Sequence, residues 1–132
     1  MDITWKYKID VADAAVFAEV EKERGITFPE ELKALILEAN AATPSKHLFM
    51  VGTAERVLGA VLSFNHNESD TDSIFTALNA VEERNLLPFA IDPFGNYICY
   101  TLKDGQIVFW DHETDGVTST GLGLQTFLAS LY

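Results

Sequence analysis

Tyr97-Ile98-Cys99-Tyr100-Thr101-Leu102, Lys103-Asp104-Gly105 and Gln106-Ile107-Val108-Phe109-Trp110 form the stretch whose reading decides the fold. Two runs of β-branched and aromatic residues flank an Asp-Gly pair, which is among the strongest short-range hairpin signals. The stretch therefore predicts two antiparallel strands joined by a tight turn. Upstream, Leu87-Pro88-Phe89-Ala90-Ile91 leads into Asp92-Pro93-Phe94-Gly95-Asn96. With Asp at i, Pro at i+1 and Gly at i+3, residues 92–95 fit a type I turn. The strand period begins after Pro88, so a further strand precedes the hairpin and the sheet reads as an antiparallel meander. Downstream, 116–123 reads as a loop, and Leu124, Phe127, Leu128 and Leu131 suggest a closing amphipathic helix.

The N-terminal half has a different period. Asp10 and Asp13 resemble a capping box, Val11, Ala14, Ala15, Ala18 and Val20 make a helical stripe, and Gly25 suits a left-handed helix end. Pro29 fits the first position of a second helix, with Glu30 and Glu31 in its positive first turn and Leu32, Leu35, Ile36 and Ala39 on one face. Thr43-Pro44 breaks it. Strands are expected over 47–51 and 57–64, separated by Gly52; a polar loop over 65–72 follows, and a third helix over 72–84 buries Ile74, Ala77, Leu78 and Val81. The expected class is α+β: N-terminal helices packed on a mostly antiparallel sheet with a C-terminal helix.

With 132 residues, of which 48% are hydrophobic and 22% charged, the chain has the size and composition of one globular domain, 1–132, able to build a core without metal or disulfides. The longest apolar stretches, 34–37 and 57–62, fall far short of the roughly 20 residues that span a bilayer. Charges at Asp2, Lys6, Lys8 and Asp10 interrupt any signal-peptide core, so a cytoplasmic address is expected. The lone Cys99 sits in an apolar run and suits a buried residue in a reducing compartment. Twenty acidic residues against nine basic ones give a net charge of −11. Such a chain repels nucleic acid and anionic lipid and attracts basic partners, although acidity for solubility alone is the commoner reading of charge by itself. The imbalance is sharpest after Asn85, where Lys103 is the only Lys or Arg against Asp92, Asp104, Asp111, Glu113 and Asp115.

Asp111-His112-Glu113 sets two carboxylates around an imidazole. Alternation along a strand end would put Asp111 and Glu113 on one face and His112 on the other, so the three would not converge. His47 and His66 add no metal-ligand spacing. No Gly-x-Ser-x-Gly elbow occurs, and Gly121-Leu122-Gly123 lacks the rest of a phosphate cradle. Asp92 and Asp111 could form an acid/base pair, but an Asp before Pro in a turn more often binds the local backbone. Asn96 reads as a residue that ties its turn to a neighbouring loop. Trp110 fits either core packing or an interface anchor, with the core favoured.

The run Pro88, Phe89, Ala90, Asp92, then Gly95, Asn96, Cys99, Lys103-Asp104-Gly105 and Trp110-Asp111-His112-Glu113 resembles the signature of the SMI1/KNR4 (SUKH) family. Gly25, Pro29 and Asn40 are similar to the family's early Gly-x-x-x-Pro helix start and its Asn at the helix end. Two departures are Asn40-Ala41-Ala42 for Asn-Gly-Gly, and Phe94-Gly95-Asn96 for Gly-Gly-Asn. The resemblance implies an SMI1/KNR4-like fold and a bacterial immunity protein that neutralises a toxin, a nuclease by preference, by binding it. It implies no cofactor and a toxin partner with a basic effector domain, and sets no oligomeric state. Candidate partner-binding residues are then Asp92, Asp104, Trp110, Asp111, His112, Glu113 and Asp115. Gly25, Pro29, Pro88, Phe89, Gly95, Asn96 and Cys99 would serve the fold. The alternatives are a regulatory or scaffolding module like the fungal members, and a small-substrate enzyme.

Overall fold

The turn that follows Thr101 is closed by Gly105, whose φ of 74° is left-handed and whose N–H donates to the Thr101 carbonyl at 2.7 Å. The Asp104 carboxylate accepts from the Gln106 N–H at 3.1 Å and completes it. The computed structural model describes residues 3–66 and 72–132. Its strands are β1 (Trp5–Lys6), β2 (Thr43–Pro44), β3 (Leu48–Val51), β4 (Ala54–Val57), β5 (Ala60–Val61), β6 (Leu86–Ile91), β7 (Tyr97–Thr101), β8 (Gln106–Trp110) and β9 (Val117–Gly123). Its helices are α1 (Val16–Arg24), α2 (Glu30–Ala39), α3 (Ile74–Ala80) and α4 (Leu124–Ser130). The main sheet has the order β5-β6-β7-β8-β9 with every neighbouring pair antiparallel; β1–β2 and β3–β4 form separate two-stranded ribbons. The α+β class expected of the sequence is the one observed.

Strands β7 and β8 are buried over most of their length, so they read as continuous apolar runs because both faces of the sheet are covered. One face carries Ile98, Tyr100, Ile107 and Phe109. It meets α2 through Tyr100, which donates to Glu31 at 2.7 Å, and β4 through Arg56, which stands 4.5 Å over the Phe109 ring. The other face carries Tyr97, Cys99, Val108 and Trp110. Phe17, Phe28 and Phe64 meet edge-on and stacked beneath the first helices, and Phe49 packs edge-on against Phe127 of α4.

Several expectations are corrected. The buried face of α1 is Val16, Phe17, Val20 and Arg24, whereas Ala14, Ala15 and Ala18 are exposed. Phe and Val remove far more apolar area from water than Ala, so the larger residues choose the face. Pro29 stands just before α2 in extended conformation (ψ 130°) rather than inside its first turn. Ile74, Ala77, Leu78 and Val81 are buried as expected, but α3 stops at Ala80 and Val81 follows it in extended conformation. Glu82 and Glu83 would put acidic charge at the negative end of a longer helix. The strand expected over 57–64 is split, its first residue closing β4 and Ala60–Val61 joining the main sheet as β5. Gly59 makes the crossing possible: a Cβ there would stand 3.0 Å from the Ile91 carbonyl oxygen. Pro88 lies inside β6, not before it, at the register shift between Pro88 and Ala90, where a missing N–H is tolerated. Residues 116–123 are not a loop, since 117–123 form the edge strand β9. Of the polar loop expected over 65–72, residues 67–71 lie outside the described residues.

Candidate partner-binding surface

The β6–β7 and β8–β9 turns emerge at the same end of the main sheet and are locked together. Asp92, only 5% exposed, spends its carboxylate on the first turn. Its Oδ1 accepts from the Phe94 N–H at 2.9 Å and the Asn96 N–H at 2.8 Å, and its Oδ2 accepts from the Asn96 side-chain amide at 2.9 Å. The other end of that amide, Asn96 Oδ1, accepts from the His112 N–H at 3.0 Å and so reaches the second turn. Gly95, with φ 89°, lies under the His112 ring: a Cβ at this position would stand 3.8 Å from it.

The second turn is built by its own carboxylates. Asp111 Oδ1 accepts from the Glu113 N–H at 2.8 Å, the Asp111 N–H donates to the Gly116 carbonyl at 2.9 Å, and the Asp115 N–H donates to the Asp111 carbonyl at 2.8 Å. Asp115, left-handed at φ 59°, takes the Trp110 indole N–H at 2.6 Å. Residues 111–116 are thus a turn and not a strand end, so alternation does not govern where Asp111, His112 and Glu113 point.

The candidate residues separate accordingly. Asp111 is half-buried, while His112, Glu113 and Asp115 are exposed together on the second turn. Asp92 is corrected from a surface charge to a buried turn-former, both of its carboxylate oxygens engaged within the first turn. Trp110 is a core residue, as the favoured of its two readings had it, and not an exposed interface anchor: it is 5% exposed, and its ring lies 5.7 Å from that of Tyr97. Asp104 sits on the β7–β8 turn at the opposite end of the sheet, about 15 Å away along a five-residue strand, and does not join the others. Among the expected fold residues, Phe89 and Cys99 are fully buried, Pro88 borders the register shift at which Phe89 is left without a partner on β7, and Gly25 ends α1 at φ 68° with its N–H on the Glu21 carbonyl. Burial pushes the Cys99 thiol pKa far up, which removes thiolate chemistry.

One exposed residue escaped the sequence reading. Phe94 is 72% exposed at the tip of the first turn. The signal was present, because the third position of an Asp-Pro-Phe-Gly turn faces solvent, but Phe alone reads as core. Among the described residues, no ion pair engages Asp111, Glu113 or Asp115; the pairs found are Lys8–Asp10 and His66–Glu19. No group of three or more His, Cys, Asp or Glu among the described residues is placed to hold a metal ion. Clefts of about 230 and 260 Å³ open between α1 and α3, the first lined by Glu23, Arg24, Leu78, Glu82 and Arg84. The turn pair thus brings the exposed Phe94 ring and the exposed Glu113 and Asp115 to the same end of the sheet.

Comparison with known proteins matches residues 11–130 to the SMI1 / KNR4 family (SUKH-1). Over 48 residues the chain is 38% identical to the SPbeta prophage-derived uncharacterized protein YokK of Bacillus subtilis (strain 168). That stretch covers 34% of this chain and 25% of the relative, so the chain spans about a quarter of the curated relative it matches. No helix among the described residues is long and apolar enough to cross a membrane.

Proposed function

The chain belongs to the SMI1 / KNR4 family (SUKH-1), and from that premise we propose that it is an immunity protein. It binds the effector domain of a polymorphic or contact-dependent toxin, a nuclease by preference, in the cytoplasm and blocks it by occlusion, without catalysis. The observation that carries this reading is the distribution of charge at the turn-bearing end of the sheet. Asp111, Glu113 and Asp115 gather there, while Lys103, the one Lys or Arg after Asn85, lies at the other end. Carboxylates so arranged resemble a row of phosphates to a nuclease cleft. They accelerate encounter and fix orientation, and buried apolar contacts supply the affinity. The similarity to a prophage-derived protein accords with this reading.

Co-expression tests it. Cells carrying the toxin domain encoded immediately upstream of this gene should survive only when this chain is also made, and the purified pair should form a complex whose association slows as salt rises. Death of the co-expressing cells, together with no complex in vitro, overturns the reading.

A further inference from the structure

We propose that the exposed Phe94 ring is the anchor on which the partner seats, and that the partner presents an apolar pocket framed by Lys and Arg. This rests on the immunity reading and assigns the contact face that reading leaves open. A single exposed aromatic proves little, since Tyr7 is more exposed still, at 81% against 72% for Phe94. Two features separate them.

The first is preorganisation. Asp92 holds the Phe94 N–H and Asn96, and Asn96 holds the neighbouring turn through the His112 N–H. The ring is therefore presented from a fixed backbone and loses little freedom on seating. The second is the surrounding charge. The adjoining turn carries Asp111, Glu113 and Asp115, with Val117, 49% exposed, at its far side. Tyr7 instead stands between Lys6 and Lys8, and Lys8 pairs with Asp10 at 3.4 Å. An apolar centre with a charged rim is the anatomy of a protein interface. The sign of this rim repels nucleic acid and anionic membrane, which leaves a basic protein surface as its complement.

The test uses the full chain and a catalytically inactive form of the effector domain encoded upstream, with rate constants measured at low and high salt. Phe94→Ala should weaken Kd at least about tenfold, chiefly through faster dissociation, and Phe94→Tyr should restore it. Glu113→Lys should slow association and flatten its salt dependence, whereas Tyr7→Ala should match wild type. Because the Phe94 side chain is exposed, thermal melts of all variants should coincide with wild type within about 2 °C. If wild type binds and protects but Phe94→Ala and Glu113→Lys bind with its constants, the partner sits elsewhere and the immunity reading stands alone. An equal loss in Tyr7→Ala also overturns the assignment. If wild type neither binds nor protects, the immunity reading fails and the anchor falls with it.

Discussion

Two buried charges, Arg24 and Asp92, are each satisfied by neutral groups rather than by an opposite charge, Arg24 by backbone carbonyls and Asp92 by two backbone N–H groups and one side-chain amide, yet they fasten different things. Arg24, 6% exposed at the end of α1, donates to the carbonyls of Glu82 at 3.1 Å, Leu78 at 3.2 Å and Val81. These acceptors lie 54 to 58 residues away, where α3 ends and its carbonyls have no further helical turn to bind. Burial, and then the nearby Arg84 guanidinium, lower the Arg24 pKa, but a guanidinium stays protonated at any pH the fold survives. Asp92 reaches at most four residues, to Phe94 and Asn96. The cation joins one helix to another and so belongs to global stability. The anion freezes one turn and belongs to the shape of a surface.

Arg24→Met gives the sharpest break between the two. It keeps the apolar stem and strands three carbonyls, so unfolding free energy should fall by about 3 kcal/mol, or roughly 10 °C in Tm. Affinity of the surviving folded protein for its partner should stay at the wild-type value. A loss confined to binding, with Tm intact, would reverse the roles assigned here.

Asp92→Ala comes next. Two N–H groups and one amide lose a charged acceptor, but the turn lies near solvent and can recruit water, so about 2 kcal/mol is expected. Hydrogen exchange should accelerate at the Phe94 and Asn96 amides and at the His112 amide, while the α1 and α3 amides keep their relative protection. Uniform acceleration across the molecule would show that Asp92 is a global fastener after all.

The same difference in reach explains what the sequence could tell. Asp92 was legible as a turn residue because its partners follow within four positions, as was the Gly105 hairpin. The clamp at Arg24 left no local trace, since nothing near position 24 announces a carbonyl at 81. Edge strand β9 was unreadable for another reason: most of its residues are exposed, so the alternation that marks a strand never appears in Val117-Thr118-Ser119-Thr120-Gly121-Leu122-Gly123. For Trp110 the sequence favours the core over an interface anchor, and its burial agrees; the indole bond to Asp115 left no trace in the sequence.

Tyr100 is an intermediate case, a long-range tie made by a single neutral donor to Glu31 of α2. Burial, and then the hydrogen bond and charge of Glu31, push its phenol up to about 12. In the unfolded chain the phenol titrates near pH 10. The folded value is the higher one, so this tie contributes fully below about pH 10 and is lost as pH climbs towards 12. Wild type should therefore lose stability more steeply than Tyr100→Phe across that window, with the variant about 1 kcal/mol weaker at neutral pH. Parallel curves in alkaline denaturant titrations would remove Tyr100 from the set of long-range ties.

The smallest effect probes a neutral clamp. Asn40, fully buried after α2, donates its amide to the Ile9 carbonyl at 2.9 Å and accepts from the Phe64 N–H at 2.8 Å, joining segments 31 and 24 residues away. Holding Asn40 there forces the next residue, Ala41, to φ 62°, a left-handed backbone that costs a Cβ-bearing residue about 1 kcal/mol. Glycine would relieve that cost but would gain freedom in the unfolded chain worth roughly half as much. Ala41→Gly should thus raise stability by about 0.5 kcal/mol, visible as a small upward shift of the urea midpoint at constant m-value. A decrease would mean that the Ala41 methyl packs well enough to outweigh its strain. The Asn40 clamp would then be held by side-chain contact as well as by its two hydrogen bonds.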